Sequence, residues 1–181
     1  MKGLDALYAD LVVDRVIPAR MAFELYRVTQ KAARGVGILA RRRSLERSAE
    51  LGGKIDVTFL TLEDDLASLK YAATRLRHLA GVTATRHVLD APVEAWRNRG
   101  GALGRGRQPD GTWESEDGVV AIEYDAGGYD NDEVILKGAS FERQYDKQVW
   151  GAATPARVEK LRLLLEPYDT AEVVLAPWWR W

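Results

Sequence analysis

The chain contains no cysteine among its 181 residues and only two histidines. The absence of cysteine excludes a disulfide framework, a thiolate zinc site and a cysteine nucleophile. Long apolar runs are also missing, so we expect no membrane-spanning helix. Asp5 and Asp10 lie where a secretory leader would be apolar, which argues against such a leader. These features predict a globular protein of the cytoplasm.

A strong net charge is absent as well, since the formal total is only −1. The charge is nevertheless unevenly distributed along the chain. Residues 1–108 carry 19 Lys and Arg against 12 Asp and Glu, whereas residues 109–181 carry 7 against 15. A basic half beside an acidic half indicates a nucleic-acid partner for the basic half. We therefore predict double-stranded DNA as a partner, with a homodimer as a further option.

Local patterns predict several short elements in the first 60 residues. The expected elements are helices over 4–13, 19–28 and 30–51 and a strand over 55–60, and an interruption of the third helix at Gly35 and Gly37 is left open. Pro18 suits the first turn of the second helix, Thr29 is the expected N-cap of the third, and Gly52-Gly53 ends it. Short helices, a glycine turn and a strand are the order of a winged helix. We predict such a region over residues 1–80.

Basic residues concentrate in this region and are candidates for DNA contact. The predicted third helix and the strand after it carry Arg41, Arg42, Arg43, Arg47 and Lys54. Arg43 and Arg47 are four residues apart and would share one helix face, while Lys54 would lie on the wing. The alternative interpretation of the arginine run is an ordinary solvated helix face.

A basic, glycine-rich loop marks the expected boundary region. Helices are predicted over about 62–80 and 82–98, separated at Gly81, and the segment RGGALGRGR follows at 99–107. Arg105 and Arg107 in this loop are further candidates for DNA contact. We expect a second domain over 81–181 that contains the loop.

The C-terminal half has a different pattern of predicted secondary structure, in which strands and helices alternate. Strands are predicted near 107–113 and over 119–125, 148–152 and 172–176, and helices begin after 131 and 154. This order predicts a small mixed sheet flanked by helices, so the expected fold class is α/β, or α+β.

One group of residues in this half could perform chemistry: Asp110, Glu123, Asp125 and Lys137. Glu123 and Asp125 share a face of the predicted strand, because side chains alternate along a strand. Neighbouring carboxylates at the end of an apolar strand need a cation between them. Carboxylate oxygens without imidazole or thiolate suit Mg²⁺ or Mn²⁺. We therefore predict the three acids as metal ligands, with Lys137 reaching inward from the helix that follows.

These residues carry a resemblance to known proteins. Pro109-Asp110, Glu123, Asp125 and Lys137 resemble the motif of the PD-(D/E)XK, restriction-endonuclease-like nuclease superfamily. With Tyr145, the pattern is similar to the plasmid replication-relaxation family of bacterial mobile elements. That resemblance implies a winged helix followed by a nuclease-like core, in which the acids hold a divalent metal and the lysine positions or activates water. It also implies an association with plasmid or nucleoid DNA.

The sequence leaves alternatives open. Asp125 occupies the position of the superfamily's strand lysine, which favours a catalytically inactive DNA-binding regulator or replication accessory factor, unless Lys137 on the helix replaces it. A third interpretation is an interaction module that self-associates through its opposed charges. Asp110 could belong only to a Pro-Asp-Gly turn, Glu123 and Asp125 to a solvated edge strand, and Lys137 to the surface. His78 and His87 are expected to be structural or surface residues.

Overall fold

The computed structural model describes residues 2–46, 52–67, 72–99 and 108–180. In the first part of the chain, three helices precede a β-hairpin. The elements are α1 (Lys2–Asp14), β1 (Val16–Pro18), α2 (Ala19–Tyr26), α3 (Gln30–Gly35), β2 (Leu39–Glu46) and β3 (Lys54–Thr61). The three strands form an antiparallel sheet in the order β1-β3-β2, so β2 is an edge strand. The predicted cap of α3 is confirmed, because the Thr29 hydroxyl accepts a hydrogen bond from the amide of Ala32.

The third helix ends at the glycines where an interruption was left open, and its expected continuation through the arginines is wrong. α3 ends at Gly35, the chain turns through Gly37 in a left-handed conformation (φ 85°), and residues 39–46 form β2. Arg41, Arg42 and Arg43 therefore lie on a strand. The arginines permit a helix, but pairing with the neighbouring strand β3 over its whole length stabilises the extended form.

The second part of the chain forms a five-stranded sheet with helices on both faces. Its elements are α4 (Asp64–Ala67), α5 (Ala72–Val88), β4 (Trp96–Asn98), β5 (Gly111–Ser115), β6 (Gly118–Asp125), α6 (Asn131–Glu142), β7 (Lys147–Ala152), α7 (Pro155–Leu165) and β8 (Ala171–Leu175). The strand order is β4-β5-β6-β7-β8. The first three strands are antiparallel, and β7 and β8 run parallel to β6. The expected mixed α/β class is confirmed.

Helix α5 differs most from its prediction. It continues through Gly81 and ends at Val88, ahead of Pro92, and residues 96–98 are a strand. Gly81 is needed for packing, because a Cβ at this position would overlap the ring of Tyr124 on β6. The expected division after residue 80 therefore lies within a single helix.

The core is continuous across that division. One cluster of buried side chains joins Leu45 and Phe59 of the first sheet to α5, to Tyr124 of the second sheet and to Trp178 near the C-terminus. The rings of Phe59 and Trp178 lie 5.8 Å apart. None of the helices in the described part of the chain has the length and apolar character needed to cross a membrane.

Candidate functional site

Strand β6 places the predicted acids in the interior. It is the central strand of its sheet, and neither Glu123 nor Asp125 has exposed surface. As the alternation of side chains predicts, both carboxylates lie on the face covered by α6 and α7, whereas Tyr124 packs on the opposite face against α5. The alternative of a solvated edge strand is therefore wrong.

Glu123 meets two donors from the chain that follows its strand. Its Oε1 accepts hydrogen bonds from Lys137 Nζ at 2.5 Å and from the Tyr129 hydroxyl at 2.6 Å. The Lys137 ammonium also lies 4.5 Å from the centre of the Tyr129 ring. The other oxygen, Oε2, is buried and has no hydrogen-bond partner among the described residues. Lys137 is thus a largely buried partner of an acid rather than a surface lysine, with 12% of its side chain exposed.

The electrostatics of Glu123 are perturbed. Burial raises the pKa of Glu123, the neighbouring carboxylate of Asp110 raises it further, and Lys137 opposes both, so that the pKa is about 7. The pKa of the Tyr129 phenol is also raised, by burial and by the charge of Glu123. A carboxyl group that titrates near neutrality beside a lysine is typical of functional sites.

Asp110 lies at the start of β5 and is also largely buried. One of its oxygens accepts the amide hydrogen of Tyr124 at 2.8 Å, and the other lies 2.6 Å from Nε2 of His78 on α5. Burial lowers the pKa of His78, but the hydrogen bond to Asp110 and the charges of Asp110 and Glu123 outweigh it, so the pKa is raised. Asp110 therefore does more than form a turn.

Asp125 belongs to an ion pair. Arg157, on the first turn of α7, donates from Nε to Asp125 Oδ2 at 2.9 Å and also from a terminal nitrogen. The amide of Gly127 donates to Oδ1 at 2.6 Å. The side chain of Thr154 caps α7 and thereby fixes the position of Arg157. Both carboxylate oxygens of Asp125 thus accept hydrogen bonds from groups of the same chain.

The three predicted metal ligands do not form a ligand set in this arrangement. Each carboxylate has its own cationic or imidazole partner: Asp110 has His78, Glu123 has Lys137, and Asp125 has Arg157. Within the described ranges, they are not among the groups whose donor atoms lie within 4.8 Å of one another. Among the carboxylate oxygens of these three acids, only Oε2 of Glu123 has no hydrogen-bond partner in the part of the chain that the structure describes. The donor set of this conformation therefore does not fit a divalent ion held by all three acids.

A different group does lie within that distance: Asp10, Asp14 and His87. A guanidinium already occupies its centre. One terminal nitrogen of Arg86 contacts Asp10, lies 2.8 Å from Asp14 Oδ2 and lies 2.9 Å from His87 Nε2. The Tyr26 hydroxyl donates to Asp10. Because Arg86 supplies the cation, this cluster joins α1, α2 and α5 structurally.

The ionisation of this cluster agrees with a structural role. Burial raises the pKa of Asp14 to about 7 despite the opposing charge of Arg86. Burial and the charge of Arg86 lower the pKa of His87 to about 4. His87 is therefore neutral and can accept a hydrogen bond from Arg86. The expectation that His87 is structural is supported, whereas His78 joins the predicted site.

The predicted DNA-contacting residues lie in several places. Arg41 and Arg42 are exposed on the edge strand β2 and point to opposite faces, and Arg42 pairs with Asp56 at 2.6 Å. Lys54 is exposed at the start of β3. Charged residues on an edge strand also hinder pairing with other chains, which is the competing interpretation. Arg47, Arg105 and Arg107 lie outside the described residues.

Sequence reasoning missed several members of these sites. Tyr129, Arg157 and His78 come from a loop and two helices, and no spacing within the sequence connects them to Glu123 or Asp110. Lys31 and Arg34 were not among the predicted DNA-contacting residues. Both are exposed on α3.

Comparison of the chain with protein-family models, with curated proteins and with solved structures finds no match.

Proposed function

We propose that the protein binds duplex DNA through α3 and the β2–β3 hairpin. Helices α2 and α3 are joined by three residues, 27–29, and the hairpin follows them directly. Two helices joined by such a short turn are the arrangement of a helix-turn-helix, whose second helix enters the major groove. The order of elements supports the winged-helix interpretation of the sequence.

The distribution of charge supports the same proposal. Residues 16–61 carry nine Lys and Arg against four Asp and Glu. Affinity for DNA is dominated by neutralisation of phosphates. The observation that carries the proposal is the exposure of Lys31 and Arg34 on α3, beside a hairpin with exposed Arg41 and Arg42.

The test is the affinity for a duplex of about 25 base pairs, long enough for two half-sites about one helical turn apart, measured by fluorescence anisotropy between about 50 and 200 mM salt. The variant Lys31→Ala/Arg34→Ala should weaken binding and reduce the slope of log affinity against log salt by about 2. The matched control is Arg143→Ala/Lys160→Ala, which removes two exposed charges from the other half of the chain. Salt-independent binding, or an equal loss in the control, would contradict the proposal.

A homodimer would suit this mode of binding, because helix-turn-helix dimers contact two half-sites about one helical turn apart. Sedimentation of the complex at micromolar protein gives the stoichiometry directly. A location with plasmid or nucleoid DNA follows from the same proposal. Its setting would be a mobile element, as the resemblance implies.

A second candidate is phosphodiester cleavage dependent on Mg²⁺ or Mn²⁺, as the resemblance to PD-(D/E)XK nucleases implies. Two observations on Glu123 favour it. Its Oε2 has no hydrogen-bond partner among the described residues, and its carboxyl group, beside Lys137 and near Asp110, has a pKa of about 7. The ion pair between Asp125 and Arg157 argues instead for the inactive regulator or accessory factor on the same scaffold.

Nicking of supercoiled plasmid in Mg²⁺ or Mn²⁺ distinguishes these two forms of the proposal. If the site is catalytic, wild-type protein nicks the plasmid, Glu123→Gln and Lys137→Met do not, and Asp117→Asn, which removes an exposed acid, still does. If wild type fails to nick, or Glu123→Gln nicks equally, cleavage is rejected and the regulator remains.

A further inference from the structure

A small cleft lies between the end of β2, the start of β3 and the first turns of α5. Its volume is about 250 Å³, and it is lined by Ser44, Leu45, Glu46, Lys54, Ala73 and Arg77. This volume is just below the range of pockets for drug-sized ligands, so it suits one small group rather than an extended molecule.

Arg77 in this cleft differs from three other arginines that are partly or fully buried. Those three have carboxylate partners: Arg15 with Glu63, Arg86 with Asp14, and Arg157 with Asp125. Arg77 is half-buried, and its Nε is buried with no hydrogen-bond acceptor in the part of the chain that the structure describes. A buried donor without an acceptor is costly, so an occupant with acceptor oxygens would stabilise this arrangement.

The rest of the lining suits an anion. Lys54 brings a second cation, while the hydroxyl of Ser44, which also lines the cleft, is hydrogen-bonded to the carboxylate of Asp56. Glu46 lies directly opposite Lys54 in the register of the hairpin, so its charge has a cation beside it. Arg77 therefore remains as the net charge of the cleft, and a guanidinium is suited to bidentate contact with phosphate.

We propose that this cleft binds one phosphate group of the DNA, anchored by Arg77. The proposal rests on the proposed DNA binding, because the hairpin that forms one wall of the cleft also belongs to the proposed DNA-contacting surface. Free phosphate has the same chemistry as a backbone phosphate, so the experiment separates these two sources.

The test compares Arg77→Gln with Arg75→Gln, which removes an exposed arginine from the same helix. Arg77→Gln should weaken duplex binding about tenfold and reduce the salt slope by about 1, while Arg75→Gln changes affinity less than about twofold. Arg77→Met carries no hydrogen-bond donor at the position of the buried Nε, so its thermal midpoint should not be lower than that of wild type.

Titration of the full chain with inorganic phosphate, followed through the NMR signal of the Arg77 Nε–H group, is the second arm. A shift in wild type that is absent on titration with chloride supports the site. If phosphate shifts the signal but no duplex binds, the cleft takes free phosphate and the proposed DNA function fails. If duplex binds wild type and Arg77→Gln equally, the cleft proposal is overturned while DNA binding stands. If phosphate causes no shift and duplex does not bind, the cleft proposal is also overturned.

Discussion

Removing Arg157 should strongly destabilise the protein. Arg157 donates hydrogen bonds from two nitrogens to the carboxylate of Asp125, and both side chains are buried. The substitution Arg157→Leu would leave Asp125 buried, with the amide of Gly127 as its remaining donor. Because a buried charge without a partner retains its full desolvation cost, we expect a loss of about 3–5 kcal/mol in the free energy of unfolding.

The size of this loss is large beside the total stability of a domain, which is about 5–15 kcal/mol. The double variant Arg157→Leu/Asp125→Leu removes both charges and fills the space with apolar atoms. Such replacements are often neutral or stabilising. The double variant should therefore recover most of the loss, giving a coupling of about 3 kcal/mol between the two positions.

Urea unfolding with linear extrapolation gives the four free energies of the cycle. If Arg157→Leu costs less than about 1 kcal/mol, or the two substitutions are additive, then the ion pair is not structural and the reasoning is refuted. Added Mg²⁺ provides an independent check. A ligand that binds only the native state stabilises it, so a rise in the wild-type midpoint that Asp125→Leu abolishes would indicate that Asp125 is a metal ligand.

Three further predictions concern packing, pH and charge. Gly81→Ala should lower the free energy of unfolding in urea by about 1–3 kcal/mol or more, because the new methyl group overlaps the buried ring of Tyr124. In the control Gly128→Ala the new methyl group contacts no neighbour, so its free energy of unfolding should differ from that of wild type by less than about 1 kcal/mol. Equal losses in the two variants would contradict the packing argument. The pKa of His87 is about 4 in the folded protein and ordinarily 6.5, so the unfolded chain binds more protons between these two values. As the pH falls through this window, the free energy of unfolding of wild type should decrease by up to about 3 kcal/mol relative to that of His87→Gln. Parallel profiles of the two free energies, measured by chemical unfolding at each pH, would contradict this. Asp56→Asn should raise the affinity for duplex DNA about two- to fivefold at low salt, since it removes the carboxylate that competes with phosphate for Arg42. Unchanged anisotropy curves would exclude Arg42 from the interface.

Strong local signals in the sequence predicted the C-terminal half well. The strands expected over 119–125, 148–152 and 172–176 and the helices expected to begin after 131 and 154 all correspond to observed elements. Helix α6 is capped by Asp130, whose side chain accepts a hydrogen bond from the amide of Glu133. In the first half, the signals were misleading. Arginines permit helix and strand alike, so only pairing with β3 placed residues 39–46 in a sheet.

Gly81 also shows that local propensity does not determine where an element ends. Gly81 was expected to end a helix, since glycine has low helix propensity. In the folded protein, glycine at this position allows α5 to approach β6 closely, and the helix continues. Propensity is a property of the local chain, whereas close approach depends on an element more than 40 residues away in the sequence.

The sequence by itself determined that Glu123 and Asp125 share a face of one strand, because alternation is a local property of an extended chain. It also determined that Lys137 comes from the helix after that strand. Only the tertiary structure decided the partners of these acids. Glu123 meets Lys137 and Tyr129, Asp110 meets His78, and Asp125 meets Arg157. Burial requires that each charge find a partner, and the packing of α5, α6 and α7 against the sheet selects which partner it finds.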